Sequence, residues 1–151
     1  MRAMSAFDSV IATTFGSMSP HMKRVGFEII SLIDGVCLAR LPYRPEFVGD
    51  ITTGVLHGGI VTTLLDTTGG AAVLSALDSP VALATLDLRI DYLRPSVPGR
   101  SLVARVECFK KTRNIAFTRG IAYDEQESDP VAAMAATYML HTQIARAPSQ
   151  P

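Results

Sequence analysis

The sequence has no excess of charge of either sign: 14 Lys plus Arg balance 14 Asp plus Glu, a formal net charge of zero with His neutral. That balance excludes the overall electrostatic pull toward nucleic acid or an anionic membrane that a basic domain exerts. Cysteine is scarce. Cys37 and Cys108 have no metal-type spacing and no neighbouring cysteine, so both read as buried thiols rather than as a disulfide or a nucleophile. No set of His, Cys, Asp and Glu is spaced for a metal, and no glycine-rich phosphate loop of the P-loop or dinucleotide kind occurs. Neither a metal nor a separate cofactor is expected. The first residues lack a basic stretch followed by a long apolar run, because Ser5, Asp8 and Ser9 interrupt it, so a cytoplasmic location is the default expectation. Repeats, low-complexity blocks and interdomain linkers are missing too. The 151 residues suit one domain, expected over residues 1–144 with a frayed tail at 145–151.

What is present is apolar: 48% of residues are hydrophobic and 19% charged, a globular composition. Zero net charge with so much apolar content favours an oligomer over a lone monomer. Phe7, Val10, Ile11 and Phe15 are spaced for one face of a short helix over residues 4–15. Strands are expected at 25–32 and 36–41 around an Asp34-Gly35 hairpin turn, followed by a loop at 42–50. Residues 51–77 carry one charged side chain, Asp66, and should form a helix buried nearly all round. A membrane span is rejected, because Thr62, Thr63, Asp66, Thr67, Thr68, Gly69 and Gly70 crowd its middle.

Four more strands are expected. Residues 82–92 alternate Leu86, Leu88, Ile90 and Tyr92 against Thr85, Asp87, Arg89 and Asp91, which puts Thr85 on the face opposite the leucines. Residues 101–111 and 115–124 flank the polar tip Thr112-Arg113-Asn114 as a hairpin, and 131–141 is the last strand despite its alanines. Two strands, one apolar helix and four strands make an α+β chain. Its six-stranded antiparallel sheet has one face to hide and one long helix to cover it, which is the hotdog arrangement.

The segment with chemical promise runs from Gly54 through Leu56-His57-Gly58-Gly59 to Leu64-Leu65-Asp66. Glycines leave bare backbone at a helix start, where the first N–H groups lack internal partners and carry partial positive charge. Such donors can stabilise a carbonyl oxygen that turns negative during acyl transfer. Asp66 lies a little over two turns on. A carboxylate in an apolar helix either works chemically or accepts hydrogen bonds from nearby threonines or backbone, and the residues alone leave both open.

These residues resemble the hotdog-fold acyl-CoA thioesterases of the phenylacetyl-CoA thioesterase (PaaI-like) type. Residues 84–95, Ala84-Thr85-Leu86-Asp87-Leu88-Arg89-Ile90-Asp91-Tyr92-Leu93-Arg94-Pro95, are similar to the strand after the helix in that family. The resemblance implies hydrolysis of an acyl-CoA substrate, CoA being part of that substrate. It implies Asp66 as general base or nucleophile, the Gly58 N–H polarising the thioester carbonyl, and Thr85 helping to hold water. It further implies a homo-oligomer, a dimer or dimer of dimers, with Gly58 of one chain facing Asp66 of another. Many relatives place an asparagine where this chain has Ile51; Asp50 is the candidate substitute.

His57 either orders the turn beside Gly58 or transfers a proton, and with Gly59 it is a candidate for substrate contact. Lys110, Lys111 and Arg113 form either a solvated turn or a partner for the CoA phosphates. His21 and His141 stand apart as ordinary surface or edge residues. Two rival functions share the fold: a non-catalytic acyl-CoA binding module, and a hydratase or dehydratase that would need His57 with a carboxylate.

Overall fold

Asp34 and Gly35, with φ of 49° and 81°, join strand β1 (Glu28–Ile33) to β2 (Val36–Leu41). Two successive left-handed residues twist a two-residue turn to match its strands, so the sequence signal is met. In this computed structural model, which describes Ala6, residues 8–12 and residues 19–141, four further long strands complete an antiparallel sheet. They are β5 (Ala82–Tyr92), β6 (Leu102–Lys111), β7 (Ile115–Tyr123) and β8 (Ala132–His141), in the order β1-β2-β6-β7-β8-β5. The long helix α3 (Gly58–Ser75) lies against all six. The six-stranded hotdog sheet around one long helix is therefore present.

The core lies between sheet and helix. Alternation supplies the sheet side: Leu102, Ala104 and Val106 of β6 and Ala132, Met134, Ala136 and Tyr138 of β8 point inward and are buried. Many of these are alanines, poor strand formers in isolation, but packing beneath a helix overrides that preference. The helix answers with Leu64, Leu65 and Val73, all fully buried. Each leucine contributes about 1.5–3 kcal/mol on removal from water. Residues 68–73 of the helix are buried without a break, whereas Thr62, Thr63, Asp66, Thr67, Leu74 and Ser75 remain partly open. Burial all round thus holds only over residues 68–73. Among the described residues no helix is long and apolar enough to cross a membrane.

Several boundaries differ from expectation. Helix α2 (Pro20–Val25) takes Val25, the first residue of the expected strand at 25–32, so β1 starts only at Glu28; Pro20 is at its first turn, the Ser19 hydroxyl accepts from the Met22 N–H, and left-handed Gly26 closes it. Ser19-Pro20 is thus a helix start, serine supplying the cap and proline the first position. The 42–50 loop contains a short 3-10 turn (Pro45–Phe47) and strand β3 (Val48–Asp50), which pairs with β4 (Val55–Leu56). Residues 51–54 turn between them, so the helix begins at Gly58 rather than at 51. Of the expected helix at 4–15, residue 6 and residues 8–12 are helical and make up α1, and the others lie outside the described residues. Cys37 is buried, and burial pushes its thiol up to about 12, but Cys108 is half-buried rather than enclosed.

One ion pair ties the loops at one end of the sheet. Arg94 donates to both oxygens of Asp124, at 3.2 and 2.6 Å, and the Val97 N–H donates to the same carboxylate at 2.6 Å. The Asp124 side chain is fully buried and that of Arg94 is 23% exposed. Desolvation pushes Asp124 up, but the Arg94 guanidinium and the Val97 N–H outweigh it and hold its carboxyl below the ordinary range. Asp124→Ala removes the buried partner and leaves the guanidinium the exposed Asp129 carboxylate at 3.1 Å, so it should cost about 2–3 kcal/mol, less than the roughly 3–5 kcal/mol of breaking a fully buried pair. Urea unfolding at neutral pH reads that loss. Since the folded value lies below the unfolded one, the contribution is complete above about pH 4 and vanishes as pH falls through the folded value. Wild type and variant should therefore converge in stability in acid.

Candidate active site

The helix start is built by His57. Its backbone is extended (φ −64°, ψ 136°), its Nδ1 accepts the Gly59 N–H at 2.9 Å, and its own N–H donates to Phe47 O at 2.8 Å. The imidazole is thus a helix cap, and Nε2 is the ring nitrogen left for other partners. Gly59's N–H is committed to that cap. The Gly58 N–H finds no acceptor among the described residues, at the positive end of an 18-residue helix. Tyr92 backs this turn: its hydroxyl donates to Gly58 O at 2.8 Å and lies 2.9 Å from Thr62 Oγ1. A Cβ on Gly58 would approach that hydroxyl to 3.2 Å.

Asp66 is held from the sheet. Thr85 Oγ1 donates to Asp66 Oδ1 at 2.9 Å, and the Tyr138 hydroxyl lies 2.9 Å from Asp66 O and 3.3 Å from Oδ1. The contact from Thr85 corrects the expected facing of β5. A bulge between Thr85 and Asp87 inserts one residue, so Thr85 before it and Leu88 and Ile90 after it share the helix side, while Leu86 is 48% exposed. Burial pushes the Tyr138 phenol far up, helped by the neighbouring carboxylate, so it stays a donor. Sequence reasoning missed Tyr138 and Tyr92. A lone large aromatic in an alanine-rich strand was the available signal for Tyr138.

The remaining expected residues are dispersed. Asp50 Oδ1 accepts from the Thr52 hydroxyl at 2.6 Å and the Thr52 N–H at 2.9 Å; these bonds hold its carboxyl below the usual range and make it the cap of the 51–54 turn. Lys111 Nζ donates to Ala76 O at the far end of α3, while Lys110 and Arg113 are exposed at the β6–β7 tip. At about 1.5 Å of rise per residue that end is roughly 27 Å from Gly58, and Asp66 is roughly 12 Å from it. Gly58 and Asp66 of one chain therefore cannot reach the same carbonyl group. Among the described residues no group of His, Cys, Asp or Glu could hold a metal ion.

The hotdog sheet thus carries, on one helix, an N-terminal N–H without an acceptor among the described residues and a carboxylate bound by hydroxyls. Residues 53–131 match the sequence profile of the thioesterase superfamily, and the chain belongs to that family. A relative from Halobacterium salinarum is 44% identical over 75 residues, which are 48% of this chain and 50% of that protein. The chain thus spans about half the length of this curated relative, and 61% of one from Saccharolobus solfataricus. The medium/long-chain acyl-CoA thioesterase YigI of Escherichia coli is 29% identical, over 80% of this chain and 85% of that one. Among solved structures, the phenylacetic acid degradation protein PaaI of Thermus thermophilus aligns with a TM-score of 0.69 at 26% identity, covering 80% of this chain and 98% of that one. The chain is PaaI-like in sequence and fold.

Proposed function

We propose that this protein hydrolyses acyl-CoA thioesters, with Asp66 as general base or nucleophile and the Gly58 N–H as the donor to the thioester oxygen. The observation that carries the reading is the pairing of an unpartnered N–H at a helix start with a partly open, hydroxyl-oriented carboxylate on the same helix. As base, Asp66 takes a proton from water while the water oxygen bonds to the carbonyl carbon. The carbonyl oxygen gains charge against the Gly58 N–H, the C–S bond breaks, and the CoA thiolate leaves and is protonated. As nucleophile, the carboxylate itself bonds to the carbonyl carbon, the C–S bond breaks and the CoA thiolate leaves and is protonated, and water then cleaves the resulting mixed anhydride to the free acid and the Asp66 carboxylate.

The separation along α3 calls for a second copy, so each site takes Gly58 from one chain and Asp66 from its partner. Strand β5 supports this: it is an edge of the sheet, and its Leu86 and Tyr92, with Leu93 just after it, are about half exposed. Lys110 and Arg113, exposed and without an ion pair among the described residues, are the candidate cations for the CoA phosphates, while Lys111 donates to Ala76 O. The relatives' names suggest a test panel of medium-chain, long-chain and phenylacetyl-CoA esters, assayed for free thiol. Thr85→Val keeps the β-branched shape and removes one donor to Asp66 Oδ1. It should lower kcat roughly tenfold with KM close to wild type; unchanged kcat would reduce Thr85 to a strand former.

A further inference from the structure

Thr85 and Tyr138 are directly opposite one another on neighbouring strands β5 and β8, and both face α3. Their hydroxyls converge on a single atom, Asp66 Oδ1, at 2.9 and 3.3 Å. Asp66 Oδ2 has no hydrogen-bond partner among the described residues, and it is not among the buried polar atoms left unsatisfied, so it reaches solvent. The two oxygens of this carboxylate are therefore inequivalent: one is tethered to the sheet and one is open.

The helix is shaped to let Tyr138 in. A Cβ on Gly69 would lie within 2.2 Å of the Tyr138 oxygen and 3.1 Å of its ring, so a side chain at 69 is incompatible with the bond to Asp66. Glycine in a helix interior is destabilising, and here it leaves space for a phenol that is 2% exposed. The single phenol proton is shared between Asp66 Oδ1 and the nearer Asp66 backbone carbonyl at 2.9 Å, so it holds the helix turn as well as the side chain.

We propose that Tyr138 is a positioning residue for the thioesterase reaction: together with Thr85 it tethers Asp66 Oδ1 and leaves Oδ2 as the oxygen that attacks the thioester or takes the proton from water. This inference rests on the function proposed above. The test is Tyr138→Phe, made alone and combined with Asp66→Asn, with kcat and KM measured on an acyl-CoA ester that the wild type hydrolyses. Loss of a hydrogen bond to a charged group should lower kcat about tenfold and leave KM within about twofold. In the Asp66→Asn background the same change should cause no further fall, because a residue acting through the carboxylate has nothing left to position. Gly69→Ala, which displaces the hydroxyl while keeping it, should follow the same pattern and decides the question if Tyr138→Phe does not fold. A kcat near wild type, or an equal loss in both backgrounds, overturns the inference. Full turnover by Asp66→Asn alone overturns the underlying function and this inference with it.

Discussion

Asp66→Asn is expected to lower thioester turnover by roughly 10² to 10⁴, the typical worth of a positioned general base. The substitution retains an oxygen that can accept from Thr85 and Tyr138, so the tether at Oδ1 survives while the charge and basicity at Oδ2 are lost. Asn and Asp have similar helix propensities, and the site is partly open, so stability should change little. Affinity for a non-hydrolysable acyl-CoA analogue should stay close to wild type, because the Gly58 turn is untouched. A protein that binds the analogue but releases no thiol even with Asp66 intact would be a binding module instead.

Gly58→Pro is expected to reduce turnover by about 10² to 10³, the usual cost of losing one oxyanion donor. The backbone accommodates this change unusually well. Position 58 is the first of the helix, where proline is favoured, and His57 already has the extended conformation required before proline. The N–H removed has no acceptor in the chain, so no structural hydrogen bond is lost. Tyr92 must yield a few tenths of an ångström to the added Cβ, and Gly58→Ala adds that carbon while keeping the N–H. Alanine should retain most of the turnover that proline loses. Equal losses in the two variants would remove Gly58 from the chemistry and leave it a packing role.

Features set by local chemistry were legible in the sequence. Period-two alternation and turn residues located the six long strands to within a few residues, since both act over neighbouring positions. Asp66 stood out because a single charge in an apolar helix is conspicuous whatever surrounds it. The bulge at Leu86 was not legible: it inserts one residue, and its effect appears only against the register of β8. The same holds for Tyr138, whose partner is 72 residues away, and for the reason position 69 is glycine. The β3–β4 pair was hidden because two- and three-residue strands are too short to show a period. His57 could be read as cap or base from sequence; the bond from Gly59 N–H to Nδ1 assigns it the cap.

Subunit mixing tests the central claim most directly. Asp66→Asn and Gly58→Pro chains should each be nearly inactive alone, and each should run in light scattering at no less than twice the 16.2 kDa chain mass. Unfolded together in equal amounts and refolded, half of the dimers would carry one chain of each kind. In such a dimer one site holds both lesions and the other holds neither, so thiol release should return to about a quarter of the wild-type rate. A mixture as inactive as its parents, although the two chains demonstrably co-assemble, would contradict a site built from Gly58 of one subunit and Asp66 of the other.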